Sequence, residues 1–318
     1  MTETHNDPIS LHPQVQAYLA RLAGFNFGAL HTFPPEQARE GLRRQIALLG
    51  DPEPIAKVED HTIPGASSPI PIRIYTPDGS GPFPVLVFFH GGGFMLGDLD
   101  THDGLARSLA NGAQCIVVSV DYPRAPEHTF PAAPDACYAA TQWVADNAAS
   151  INADAARIAV GGDSAGGNLA TVVAHMARDN NDGPALVFQL LIYPDLDFRR
   201  TNFSIREYAG KYGNIGRETQ HWFMDNYLNS ATEKLDPRVS PLLAPDLARL
   251  PATLIITAQY DALRDEGEEY GERLEEAGVP VTVTRYPGMI HEFLRHPFDD
   301  SKQARADAAA ALAQAFSR

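Results

Sequence analysis

The 318-residue sequence has little cysteine, fewer basic than acidic residues, and no long apolar run. Its two cysteines, Cys115 and Cys137, cannot build a disulfide framework for so long a chain, and each sits in an apolar setting that suits a buried free thiol. Against 25 Lys and Arg stand 40 Asp and Glu, a formal charge of −15. So acidic a surface repels a phosphate backbone and an anionic bilayer alike, which argues against nucleic acid and membrane partners. Nowhere do roughly 18 apolar residues follow one another, so no membrane-spanning helix is expected. The opening MTETHNDPIS lacks the basic and apolar regions of a secretory signal. The expected setting is a reducing cytoplasm. No His, Cys or Glu set has metal-ligand spacing, so neither metal nor cofactor is expected.

What the chain does have is 44% hydrophobic residues, ample for a packed core. From residue 55, short apolar runs at 58–63, 70–75, 85–89, 115–120, 157–160, 186–193, 253–257 and 281–286 alternate with or precede helical patterns. Those patterns lie at about 102–111, 134–149, 165–178, 262–277 and 302–316. The first two runs flank a Pro64-Gly65 turn signal and read as an antiparallel hairpin. The runs read as apolar on both faces, as strands covered by helices should be. The predicted class is α/β: a mostly parallel eight-stranded sheet with helices on both faces. Residues 1–50 carry two helix-like stretches, at 12–23 and 35–49, and residues 195–240 show no clear strand but a helix at 217–228. Together these two segments predict a helical cap over a catalytic core made of residues 51–194 and 241–318.

The most informative stretch is Gly162-Asp163-Ser164-Ala165-Gly166, set between an apolar strand and a helix-compatible run. A nucleophile displayed on so sharp a turn needs tiny neighbours, and the turn aims a helix N-terminus at the developing negative charge. Upstream, the run ending at Phe89 leads into His90-Gly91-Gly92-Gly93-Phe94. Backbone N–H groups of Gly92 and Gly93, with that of Ala165, are candidate oxyanion donors, and His90 reads as an anchor of this loop. A serine hydroxyl also needs a base and an orienting carboxylate. Asp261 follows the run at 253–257 and His291 follows the run at 281–286, so both fall at the C-terminal edge of the sheet, where open α/β sheets gather their sites. Asp265 is the competing carboxylate. The other histidines, His102 among them, follow no strand end.

These motifs resemble the hormone-sensitive-lipase-like carboxylesterases, bacterial family IV of the α/β-hydrolase fold. Further matches are Asp121-Tyr122 with Ala125-Pro126-Glu127-His128, Asp236-Pro237 with Ser240-Pro-Leu-Leu243, and Gly288-x-x-His291-x-Phe293. Two departures are Pro123-Arg124 in place of Arg-Leu, and Gln259 in place of Glu. The resemblance implies Ser164, Asp261 and His291 as the triad, Gly92, Gly93 and Ala165 as the oxyanion hole, and short- to medium-chain acyl esters as substrates. Phe94, Tyr208 and Tyr212, with Phe25 and Phe27, are candidate pocket aromatics. A homodimer through exposed helical or edge-strand faces stays open by analogy. So does an amidase or acetyl-hydrolase with the same triad, whereas a non-catalytic receptor is disfavoured: the plant gibberellin receptors resemble this family but lose the catalytic base, and His291 is present here. The net charge argues for neutral or uncharged ester substrates.

Overall fold

A computed structural model describes residues 10–23, 28–65 and 68–317. Strands β1 (Lys57–Ile63) and β2 (Ile70–Thr76) form the expected antiparallel hairpin, with Val58 opposite Tyr75. In β3 (Phe83–Phe89) successive side chains leave by opposite faces. Val85, Val87 and Phe89 enter one apolar core, while Leu86 and Phe88 enter the other. Similar double burial marks β4 (Ile116–Val120), the inner part of β5 (Ala153–Asp163), β6 (Leu186–Ile192) and β7 (Ala252–Ala258). Strand β8 (Val281–Tyr286) completes a sheet of order β1-β2-β4-β3-β5-β6-β7-β8. Only the β1/β2 and β2/β4 pairs are antiparallel.

Helices cover both faces. Leu105 and Leu109 of α3 (Asp103–Ala113) pack with Ala304 and Leu312 of α9 (Asp299–Phe316) on one side. On the other lie α4 (Ala132–Asn147), α5 (Ala165–Asp179) and α8 (Arg264–Glu276), through residues such as Val144, Leu169 and Leu274. The expectation of two apolar faces fails at the rims. Most of β1 is exposed, and in β8 only Tyr286 is buried while Val283 is 40% exposed. An edge strand has a neighbour on one side only and extends past the helices that cover the centre. Cys115 and Cys137 are buried free thiols, and burial pushes the Cys115 thiol up to about 12 and raises Cys137 as well. Among the described residues, no helix is long and apolar enough to cross a membrane.

Four helices lie outside this three-layer arrangement. The stretch expected at 12–23 is α1 (Pro13–Ala23), docked by Val15 into the same core as Met289 and Ile290, with the His12 N–H donating to the Gly288 carbonyl at 3.1 Å. The stretch expected at 35–49 divides into α2 (Pro35–Arg44) and a 3₁₀ turn, Gln45–Leu48. The 195–240 segment holds α6 (Phe203–Tyr208), too short to announce itself by periodicity, and α7 (Arg217–Tyr227). His31 and Thr219 join the two segments at 2.9 Å.

Candidate active site

Strand register assembles the site. Phe89, the last residue of β3, lies opposite Gly162 of β5, so the loop after β3 runs beside the turn after β5. Ala258, the last residue of β7, lies opposite Tyr286, the last of β8, so the loops carrying Asp261 and His291 leave the sheet side by side.

Ser164 occupies the turn between β5 and α5 with φ +55° and ψ −118°, a conformation that L side chains adopt only under constraint. Its N–H donates to the Ile192 carbonyl at 2.9 Å, and its carbonyl accepts from the Asp195 N–H at 3.2 Å. The flanking glycines are required by close approach. A Cβ on Gly166 would stand 1.9 Å from the Phe89 carbonyl oxygen, and one on Gly162 would stand 2.3 Å from that of Gly166.

The structure brings Ser164, His291 and Asp261 into one hydrogen-bonded chain. His291 Nε2 lies 3.0 Å from Ser164 Oγ, and Nδ1 lies 2.7 Å from Asp261 Oδ2. A carboxylate can only accept, so Nδ1 carries a hydrogen, and in the neutral ring Nε2 is left to accept from the serine hydroxyl. Asp261 is fully buried and its other oxygen accepts from the Leu263 N–H at 2.9 Å, which fixes the carboxylate. Burial disfavours the imidazolium, but the charge of Asp261 and its hydrogen bond outweigh burial and raise His291 to about 9. Asp265, the competing carboxylate, instead accepts from the Ser204 N–H and pairs with Arg264.

Gly92 and Gly93 line the same cavity as Ser164 and His291, a space of about 600 Å³. Both have positive φ, +121° and +59°, and the loop is folded by the N–H groups of Met95 and Leu96 donating to the Gly92 carbonyl. Ala165 is the first residue of α5, so its N–H has no acceptor within the helix. Gly92 and Gly93 thus share a cavity with Ser164, and Ala165 follows it in the chain. His90 holds the loop from behind: its ring stacks on Tyr122 at 4.3 Å, and Tyr122 Oη donates to the His90 carbonyl at 2.7 Å.

Several contributors escaped the sequence reading. Asp163, beside the serine, is wholly buried, accepts from the Gly91 N–H at 2.9 Å, and lies 3.2 Å from Nε2 of buried His102. It therefore bolts the glycine loop to the turn carrying Ser164. Burial opposes its charge, yet His102, Arg295 and the Gly91 N–H hold Asp163 below the usual carboxylate range. Arg39 of α2 reaches across from the other side, donating to the carbonyls of Met95 (2.8 Å) and Ala125 (2.9 Å) and pairing with Glu127 at 2.6 Å. Gln259, where the resembled family carries Glu, accepts from the Gly288 N–H at 2.7 Å and steadies the loop ahead of His291.

The aromatic expectations divide. Phe94 lines the cavity and stacks on Tyr227 at 4.1 Å. Tyr208 and Tyr212 do not line it, and placing them there is corrected: both rings turn against Tyr260, at 5.8 and 5.6 Å, and support the loop before Asp261. Phe223 of α7 lies against Gly93 and lines the cavity instead. Phe25 and Phe27 fall outside the described residues. Among the described residues, no group of three or more His, Cys, Asp or Glu could hold a metal ion.

Comparison with known proteins places relatives around this geometry. Residues 86–295 match the family model described as the alpha/beta hydrolase fold. The carboxylic ester hydrolase LipN of Mycobacterium tuberculosis is 43% identical over 265 residues, covering 81% of this chain and 69% of that protein. The carboxylesterase NlhH of the same organism is 41% identical over 305 residues, 91% of each chain. Among solved structures, a hyperthermophilic esterase from the archaeon Pyrobaculum calidifontis superposes with a TM-score of 0.91 at 41% identity, covering 96% of this chain and 98% of that one.

Proposed function

The chain belongs to the α/β-hydrolase family, in its hormone-sensitive-lipase-like branch, and is a carboxylic ester hydrolase; from that premise we propose that Ser164, His291 and Asp261 carry the reaction, through an acyl-enzyme. His291 Nε2 takes the proton of Ser164 Oγ as the oxygen attacks the ester carbonyl. The N–H groups of Gly92, Gly93 and Ala165 meet the oxyanion, and each such donor is typically worth about 3 kcal/mol. His291 then returns its proton to the departing alcohol oxygen as the C–O bond breaks. Water repeats the cycle on the acyl-serine, releasing the acid and restoring the serine hydroxyl. Asp261 orients the ring and stabilises its cation throughout. The observation that carries the proposal is the continuous chain Ser164–His291–Asp261, at 3.0 and 2.7 Å.

Residues 1–50 and 195–240 are proposed as the cap over a core of residues 51–194 and 241–318. In support, residues of α2 and α7, such as Ala38, Leu42, Phe223 and Met224, line the cavity that Ser164 enters. A cavity of about 600 Å³ walled by such side chains suits short- to medium-chain acyl groups. Replacing Ser164→Ala should abolish hydrolysis of 4-nitrophenyl butyrate and labelling by a fluorophosphonate probe. Activity within tenfold of the unaltered enzyme would refute the assignment.

A further inference from the structure

A second cavity, of about 360 Å³, has walls formed by Arg199, Arg200, Arg206, Arg217 and His221, together with Thr201, Ile205 and Gln220. No carboxylate lines it among the described residues. Arg200 and Gln220 also border the cavity entered by Ser164, so the two spaces share a wall. Two of the four guanidiniums are paired with carboxylates: Arg199 with Asp197 (2.9 Å), and Arg200 with Asp195 (2.7 Å) and Glu266 (3.7 Å). The others are not neutralised. Arg206 donates to the Thr201 carbonyl at 2.9 Å, and among the described residues the side chains of Arg217 and His221 make no hydrogen bond or ion pair.

The position of Arg217 is itself unfavourable. It is the first residue of α7, where the helix end is already positive, and the preceding Gly216 has no side chain to meet the first-turn N–H groups. Glu218 brings one carboxylate to that turn but does not line the cavity. In a chain of net charge −15, basic groups scattered at random would meet acidic neighbours. Here Arg199 and Arg200 do meet carboxylates, while Arg206, Arg217 and His221 line the same cavity with no ion pair of their own, which leaves the space with an excess of positive charge that an entering anion would meet. The planar arginine fork matches a carboxylate or a phosphate.

We propose that this cavity is an anion subsite, which receives a carboxylate or phosphate at the remote end of an ester whose scissile bond lies at Ser164. The inference rests on the ester-hydrolase assignment above and narrows its substrate class. It also reverses locally what the net charge suggests, since the acidic surface favours neutral esters and the second cavity favours anionic ones.

The test compares 4-nitrophenyl hemiesters of glutaric, adipic and suberic acid with their neutral methyl esters, on the unaltered protein and on the double variant Arg206→Gln/Arg217→Gln. Both side chains are exposed and stand apart from the triad and the oxyanion donors. In the unaltered enzyme at least one hemiester should show a KM at or below that of its methyl ester. In the variant that hemiester's KM should rise about tenfold, the usual worth of a charge-assisted hydrogen bond, with the methyl ester unchanged. Inorganic phosphate should raise KM for the hemiester alone. Phosphate inhibition equal for both esters would mark a site for free anions and overturn the substrate subsite. The same hemiester-to-methyl-ester ratio in both proteins would overturn the anion site altogether. Failure of the unaltered enzyme on 4-nitrophenyl butyrate would instead refute the assignment of Ser164, and this proposal with it.

Discussion

The pairing of Asp261 with His291 predicts an alkaline shift in the enzyme's working pH. The attacking step needs neutral His291, and the ring is raised from 6.5 to about 9. That difference corresponds to about 3 kcal/mol favouring the cation. At pH 7 a base of that strength is about 1% neutral, so kcat/KM for an uncharged ester should climb with pH and level off only above the raised value. Burial acts in the opposite sense, Asp261 is the principal raising influence, and Glu292 and Asp163 raise the ring further. Replacing Asp261→Asn removes the main raising charge and leaves burial in place. The inflection should then move toward acid by more than one pH unit, while the plateau falls by about ten-thousandfold because the tautomer is no longer fixed. The assay is kcat/KM between pH 5.5 and 10 on 4-nitrophenyl butyrate, corrected for spontaneous hydrolysis. An inflection at or below 6.5 in the unaltered enzyme would refute the reasoning. So would an inflection that Asp261→Asn leaves in place.

Two further outcomes follow, one from contacts around the site and one from burial. Asp163→Ala removes the acceptor of the Gly91 N–H and leaves His102 unpaired, so kcat should fall about 10- to 100-fold with KM little changed. Asp163→Asn, which keeps an acceptor for Gly91, should recover a large part of that loss, and equal kcat in Ala and unaltered proteins would sink the positioning role. The thiols of Cys115 and Cys137 are fully buried and shifted upward, so the native protein should not react with a disulfide reagent such as DTNB. Two thiols should titrate once denaturant is added, and fast labelling of either in the native state would contradict their burial.

The legible parts of the chain were those in which local pattern and global role coincide. Ser164, Asp261 and His291 each follow an apolar run, and parallel strands deliver such residues to one edge whatever their separation in sequence. The strand ends were less visible: β5 begins at Ala153, several residues before the apolar run at 157–160. Its outer part is partly exposed and carries no hydrophobic signal. The rims misled for a related reason, since the Val-Thr alternation of β8 is equally compatible with a covered and an uncovered strand. Distant pairings that no strand end announces were invisible. Nothing near His102 indicates that it meets Asp163 sixty-one residues later, or that Arg39 crosses to Glu127. Tyr208 and Tyr212 show the limit for aromatics, because composition cannot tell a ring that lines a cavity from one that braces the loop behind it.

The register that builds the site also distributes its durability unevenly. Ser164 hangs from β5, in the interior of the sheet, with its backbone tied to Ile192 and Asp195. His291 follows β8, a thinly covered rim of the sheet. The 3.0 Å contact between them therefore joins a strand covered on both faces to one with little cover, and thinly covered strands are expected to open first. Opening of β8 would take the base from the serine while the rest of the sheet stays folded. Heat should accordingly silence the enzyme before it melts it, and cooling should restore activity without any refolding of the core.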